Sequence, residues 1–310
     1  MNQTIFEFIY FITFVGKSKI LSVKYYQIMK SQQLNTKTKT ISLESPVVMG
    51  ILNITPDSFY SASRIKGENK IRKRIEEIRE QGAKIIDVGG ISTRPGGMHV
   101  NLEEEWSRIE SVLKILRNEY SIIPVSVDTF RAEIARRSIE NYAVDLINDI
   151  SGGQFDDKMI ETVGNSDALY IGMHLKGTFE NMHNYTISGD IIQECIDFFT
   201  SLKTKCQQAG VKQLIIDPGF GFSKTLDQNY RLLNQLDKLK ILELPVLAGL
   251  SRKSMIYRFL EITPEESLNG TSVLNTIALQ RGAQILRVHD VREAMQTIRL
   301  LEKIYNPAVA

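Results

Sequence analysis

A chain of 310 residues that is 43% apolar and 24% charged holds enough apolar material for one large core, so a single main domain is expected. Its net charge is only +2, with basic residues dispersed along the sequence; this gives no support to nucleic acid or an anionic membrane as main partner, and a small-molecule ligand fits better. No apolar stretch reaches the roughly 18 residues needed to cross a bilayer, and Cys195 and Cys206 share one predicted helical region without CxxC or metal-ligand spacing, as suits reduced thiols in a cytoplasmic setting.

Residues 1–45 differ from the rest, running from aromatic and apolar at the start to polar around 31–40. The apolar run at 5–15 contains Glu7 and has no basic residue ahead of it, which makes a poor signal peptide. The segment is expected to be an N-terminal extension. Its first 28 residues, ahead of Met29, are expected to be weakly helical or without order and to precede the native start. An amphipathic helix packed on the main domain is the alternative.

Eight apolar, β-branched runs follow, at 47–54, 84–90, 123–129, 145–150, 168–174, 213–219, 245–251 and 284–290. Runs of this length without clear alternation suggest strands covered on both faces, as in a parallel sheet. Between them lie helical patterns at 68–81, 103–119, 131–141, 190–209, 226–239 and 267–281, with 291–304 closing the chain. Gly82, Gly210 and Gly282 stand where helix stop signals belong. Eightfold alternation predicts a single (β/α)₈ barrel over residues 46–305, with an open doubly wound sheet as the alternative.

The runs end in Asn53, Asp87, Asp128, Asn148, His174, Asp217, Ser251 and Arg287. Polar groups after buried runs are costly unless they share a polar pocket, and a parallel barrel provides one at the C-terminal ends of its strands. The loop after the second strand, Gly89-Gly90-Ile91-Ser92-Thr93-Arg94-Pro95-Gly96-Gly97, combines permissive glycines, hydroxyls and an arginine, groups that hold phosphate oxygens. Read alone, it is as readily a Gly/Pro turn with a solvated arginine. Asp128, Asn148 and Asp217 together suit the edge of a flat heterocycle bearing an amino group beside a ring N–H; alternatively, Asp128 caps the helix that follows it. Arg287 and His289 alternate on the eighth strand and so point to the same side, near the loops that often bind phosphate in such barrels. His174 reads first as structural, and Asp87 as a rim residue.

Taken in order, Met49-Gly50-Ile51-Leu52-Asn53-Ile54-Thr55-Pro56-Asp57-Ser58-Phe59, Ser92-Thr93-Arg94-Pro95-Gly96, Ser126-Val127-Asp128-Thr129, Asp217-Pro218-Gly219-Phe220-Gly221-Phe222, Ser251-Arg252-Lys253-Ser254 and Arg287-Val288-His289-Asp290 make the chain resemble the dihydropteroate synthase family. The resemblance spans residues 47–301. It implies a (β/α)₈ homodimer that condenses 6-hydroxymethyl-7,8-dihydropterin diphosphate with p-aminobenzoate. It also implies roles: Asp128, Asn148, Asp217 and Lys253 hold the pterin, Met173 lines its pocket and Arg287 stacks on it. Asn53 binds Mg²⁺ with the diphosphate, which Arg94, Arg287 and His289 contact, and Thr93, Pro95, Phe222, Ser251 and Lys253 frame the p-aminobenzoate. Asp128, Lys253 and Arg287 are the residues expected to act in catalysis.

Two departures accompany the resemblance. Ile91 stands where the family usually has glutamate, and Tyr60-Ser61-Ala62-Ser63 follows Phe59 in place of Ser-Asp-Gly-Gly. Both bear on the loops over the site, and the pterin set is intact. A pterin-binding methyltransferase barrel would keep the carboxylate and asparagine grip without needing the Ser92–Pro95 or Ser251–Ser254 motifs. A catalytically silent barrel would have lost a central rim residue, and none is missing.

Overall fold

The computed structural model describes residues 32–54, 64–91, 100–179, 181–182 and 187–305. Strands β1 (Gln33–Asn35) and β2 (Thr40–Ser42) form an antiparallel hairpin. Eight parallel strands follow: β3 (Val47–Asn53), β4 (Ile85–Gly89), β5 (Val125–Asp128), β6 (Leu146–Asp149), β7 (Leu169–Met173), β8 (Leu214–Asp217), β9 (Leu247–Ala248) and β10 (Ile285–Val288). Their order is β8-β7-β6-β5-β4-β3-β10-β9. The parallel bridge Ile216–Val246, with Ile216 N–H donating to Pro245 O at 2.9 Å, closes the ring. The closed barrel is therefore the form adopted, and the open sheet is not.

Helices fill the connections in the expected order. They are α1 (Arg64–Glu80), α2 (Leu102–Glu119), α3 (Ala132–Tyr142), α4 (Met159–Gly164), α5 (Ile191–Ala209), α6 (Leu226–Asn234), α7 (Ser254–Leu260), α8 (Leu268–Gln280) and α9 (Val291–Tyr305). Gly82, Gly210 and Gly282 all have positive φ, the conformation their position as stop signals requires. Short elements escaped the sequence pattern. The run at 245–251 supplies only Leu247–Ala248 as strand, and the helix expected over 226–239 ends at Asn234 and resumes as a 3₁₀ stretch at Leu236–Leu242. Helices α4 and α7 are too short to show a 3.6-residue period.

Alternation, hidden in the sequence because both faces are apolar, decides what faces the barrel axis. Val48, Leu52, Ile86, Val88, Val125, Val127, Ile147, Ile216, Leu286 and Val288 point outward into the large core beneath the helices. Met49, Ile85, Leu146, Leu169, Ile171, Ile215, Leu247 and Ile285 point inward and fill the lower half of the barrel. Stepping by two along each strand carries the inward column from Ile85 to Asp87, Leu146 to Asn148, Ile215 to Asp217 and Ile285 to Arg287. The polar residues share one end because strand lengths and register place them one step above the apolar plug.

The hairpin seals the opposite end. Leu34, Ile41 and Leu43 are buried in the same apolar cluster as Met49 and Ile85. The hairpin is also tethered by polar bonds: Asn35 N–H to Gln213 Oε1 (2.8 Å), Gln213 Nε2 to Gln33 O (2.9 Å) and Thr38 N–H to Asp145 Oδ1 (2.7 Å). The C-terminal part of the segment read as an extension is thus packed against the barrel, while the expectation for residues 1–28 lies outside the described residues.

Candidate active site

Arg287 forms the hub of the polar end. Its Nε donates to Asp87 Oδ2 at 2.6 Å and its Nη2 to Asp128 Oδ2 at 2.5 Å, so one guanidinium bridges two carboxylates across the barrel. Asn148 Nδ2 also donates to Asp87 Oδ2, at 3.1 Å. Buried charges are tolerated when paired in this way. Burial pushes the Asp128 carboxyl up to about 7; the Arg287 charge opposes that rise, while Asp87 nearby adds to it. Arg287 is held above the ordinary arginine range because Asp87 and Asp128 outweigh the cost of its own burial. Asp128 caps nothing. The amide of Arg131 bonds Thr129 Oγ1 and that of Ala132 bonds Asp156 Oδ2, which frees Asp128 to face the axis.

The opposite wall is built from the turns after β8, β9 and β10. Asp217 is fixed by Gly219 N–H, which donates to its Oδ1 at 2.8 Å, and burial raises its pKa against the pull of Lys253. Lys253 Nζ donates to Phe220 O and lies 4.6 Å from the Phe222 ring centroid. Desolvation lowers its pKa to about 8, with Asp217 opposing. Ser251 Oγ and His289 Nδ1 are 3.0 Å apart, and Ser251 Oγ accepts from His289 N–H at 3.2 Å.

The turn between Ser251 and Lys253 is held from outside the site. Arg252 adopts a left-handed φ of 55°, uncommon for a residue with a Cβ. Its fork donates to both oxygens of Asp290, at 2.9 and 2.8 Å, and to Pro264 O and Glu265 O. The bidentate geometry joins the β9 turn to the β10 turn. Ser251 and Lys253, on either side of Arg252, are thereby held near His289 and Arg287.

Met173 and Phe222 belong to one small apolar cluster with Ile150, Leu175 and Met182, packed against Phe130, Phe155 and Phe179. Ile91 lines a cavity of about 260 Å³ with these three phenylalanines, so the isoleucine in the usual glutamate position contributes to an aromatic-walled surface. The adjoining helix supplies a buried carboxylate, Glu105, which accepts from Thr129 Oγ1 at 2.7 Å and from Arg131.

Of the residues chosen from sequence, Asp128, Asn148, Met173, Asp217, Phe222, Ser251, Lys253, Arg287 and His289 all lie at the C-terminal ends of the strands or in the turns that follow them. Asn53 is the last residue of β3, with Oδ1 so close over Gly89 that a Cβ there would lie 2.9 Å away. Thr93, Arg94 and Pro95 lie outside the described residues. Asp87 belongs to the center of the network, although sequence placed it at the rim. Its signal was its position two residues beyond inward-facing Ile85. Nothing in the sequence marks Lys224, whose ammonium contacts three carbonyls. His174 is buried with its ring edge-on to Phe198 at 5.0 Å and burial lowering its pKa to about 2, as a structural residue would be.

The family model described as Pterin binding enzyme matches residues 49–289. A dihydropteroate synthase of Synechocystis is 41% identical over 261 residues, 83% of this chain and 90% of that protein. The solved structure of the Clostridium difficile dihydropteroate synthase in the presence of pteroic acid has a TM-score of 0.78 and 36% identity, covering 84% of this chain and 97% of that one. The Xanthomonas albilineans dihydropteroate synthase with 4-aminobenzoic acid has a TM-score of 0.80 and 33% identity, covering 88% and 98%. Agreement over nearly the whole barrel, at this identity and with the polar mouth in place, shows that the chain belongs to the pterin binding enzymes, in their dihydropteroate synthase family.

Proposed function

We propose that this chain joins 6-hydroxymethyl-7,8-dihydropterin diphosphate to p-aminobenzoate, forming 7,8-dihydropteroate and diphosphate in folate biosynthesis. The observation that carries this reading is the convergence of Asp128, Asn148, Asp217, Lys253 and Arg287 on one barrel mouth beside Met173 and Phe222. A pterin presents an amino group beside a ring N–H, and a carboxylate accepts such a donor pair side by side. Asp217, already oriented by Gly219, suits that role. Asn148 adds an amide, one of whose two N–H donors is engaged by Asp87. Asp128 and Lys253 complete the polar grip, and Arg287 stacks on the ring. The pteroic acid and 4-aminobenzoic acid named with the related structures support the two substrates.

The reaction fits a dissociative substitution. As the bond from the exocyclic methylene to diphosphate oxygen breaks, positive charge develops on that carbon and spreads into the ring, where the ionized Asp128 favors it. Arg287 and His289, with Arg94, stabilize the departing diphosphate. The arylamine is neutral at pH 7 and attacks without a strong base, so the site needs no Ser–His pair. Phe222, Ser251 and Lys253, with Thr93 and Pro95, frame the p-aminobenzoate.

Asn53 Oδ1 is a hard oxygen donor, the kind Mg²⁺ takes when phosphate oxygens supply other ligands. Among the described residues no cluster of three or more His, Cys, Asp or Glu side chains could hold a metal by itself, so Asn53 suits an ion shared with the substrate diphosphate. When bound, Mg²⁺ would neutralize charge on that leaving group.

A cytoplasmic setting is part of the same reading. Cys195 and Cys206 are free, and the eleven helical steps from one to the other span about 16 Å, too far to pair. Among the described residues no helix is long and apolar enough to cross a membrane. A homodimer is supported by exposed Val273 on α8 and Leu300 and Ile304 on α9, apolar side chains on contacting helices that a second copy would cover.

The test mixes purified protein with Mg²⁺, the pterin diphosphate and p-aminobenzoate and follows diphosphate release. Release that requires both substrates is expected; none above background would overturn the reading.

A further inference from the structure

Lys224 has no described carboxylate partner, and its ammonium instead donates to three backbone carbonyls: Gly219 O and Phe222 O at 3.0 Å and His174 O at 3.3 Å. These carbonyls belong to the turn after β8, which carries Asp217 and Phe222, and to the turn after β7, which follows Met173. We propose that Lys224 is a positioning residue for both substrates, fixing Asp217 and Phe222 by gathering these carbonyls around one cation. The proposal rests on the reaction assigned above.

The peptide units of Gly219 and its neighbor are held at both ends. The Gly219 N–H fixes Asp217 Oδ1 at 2.8 Å, while its carbonyl faces Lys224. Gly219 is pressed so closely on the β7 turn that a Cβ would lie 2.1 Å from His174 O, and its φ is +71°. Phe222 is held by its carbonyl on Lys224, with its ring toward Lys253. The neighboring residue reinforces the arrangement. Ser223, at φ 51°, donates from Oγ to Lys176 O at 2.6 Å and from N–H to Met182 O at 2.8 Å, stitching the same two turns together. Asn229 Oδ1 takes Gly221 N–H at 2.7 Å. Three carbonyl dipoles converging on one point repel one another unless a cation lies between them. Removal of the charge should therefore let the Asp217–Phe222 turn relax, without touching a group that contacts substrate. Desolvation lowers the Lys224 pKa to about 8, with the nearby Cys195, Asp217 and Glu194 opposing the fall.

The test compares wild type, Lys224→Met and Lys224→Arg in the full chain by steady-state kinetics, melting temperature and amide exchange of the 214–225 segment. Lys224→Met is expected to raise KM for both substrates roughly tenfold or more, the size expected for losing charge-assisted bonds, while kcat changes less than about threefold. Exchange in 214–225 should quicken, and Lys224→Arg, which keeps the charge and donors, should restore both KM values. A folded Lys224→Met protein with unchanged KM values and exchange would overturn the proposal. If that variant does not fold, Lys224→Gln replaces it under the same criteria. The exchange measurement needs no substrate, so an inactive wild type would remove the proposed reaction while exchange still judged the positioning role.

Discussion

Asp128 and Lys253 have shifted in opposite directions, the first up to about 7 and the second down to about 8. Both shifts are led by burial, which disfavors whichever form is charged. In the proposed reaction Asp128 must be ionized to favor the pterin cation and Lys253 protonated to hold its position. Asp128 gains its charge as pH rises through about 7, and Lys253 loses its own as pH rises through about 8. The sign follows: kcat/KM for the pterin diphosphate should climb, peak between these values and fall, since this parameter reports groups of the free enzyme. A pH series of initial rates checks it, and a flat profile from pH 6 to about 9 would rule out these two groups as the ones that matter. Asp87 was the residue hardest to read from sequence. Its importance comes from Arg287 and Asn148, 200 and 61 residues away along the chain, and no local pattern records such a distance.

Elements are where local sequence and packing can be separated. The long helices were legible because each carries an apolar stripe and several end in a stop signal, as α5 does with Asp190 capping its start and Gly210 its end. The hairpin of β1 and β2 was not, because two three-residue strands offer no periodicity to detect. Its contribution is nonetheless large. Leu34 is fully buried between the hairpin and the barrel floor, so Leu34→Ala should cost about 2–5 kcal/mol. Urea denaturation measures that loss, and because the hairpin lies at the end opposite Asp128 and Lys253, kcat in the absence of denaturant should stay near wild type. A large fall in kcat with little loss of stability would mean the floor is coupled to the mouth. Strand β9 illustrates the opposite case: sequence gave it seven residues, but only two pair as strand. The Gly249–Lys253 segment instead bends through Arg252 into a turn locked by Asp290, and that lock is a tertiary contact.

At the scale of the whole molecule, α8 and α9 expose Val273, Leu300 and Ile304. In the proposed homodimer these are covered, and replacing Leu300, 67% exposed, by glutamate would place a charge in that interface. Leu300→Glu should shift the mass seen by light scattering from dimer to monomer; a wild type that is already monomeric would overturn the dimer. The amino-acid sequence alone determined the eight barrel strands and their order, the long helices between them, the closed-barrel expectation and most of the polar mouth. Those depend on apolar runs, stop signals and motifs that are local to the chain. Only the tertiary structure decided that Arg287 bridges Asp87 and Asp128, that Lys224 gathers three carbonyls and that a hairpin seals the floor. Each joins residues from different turns or strands, and which of them meet is set by barrel closure and register.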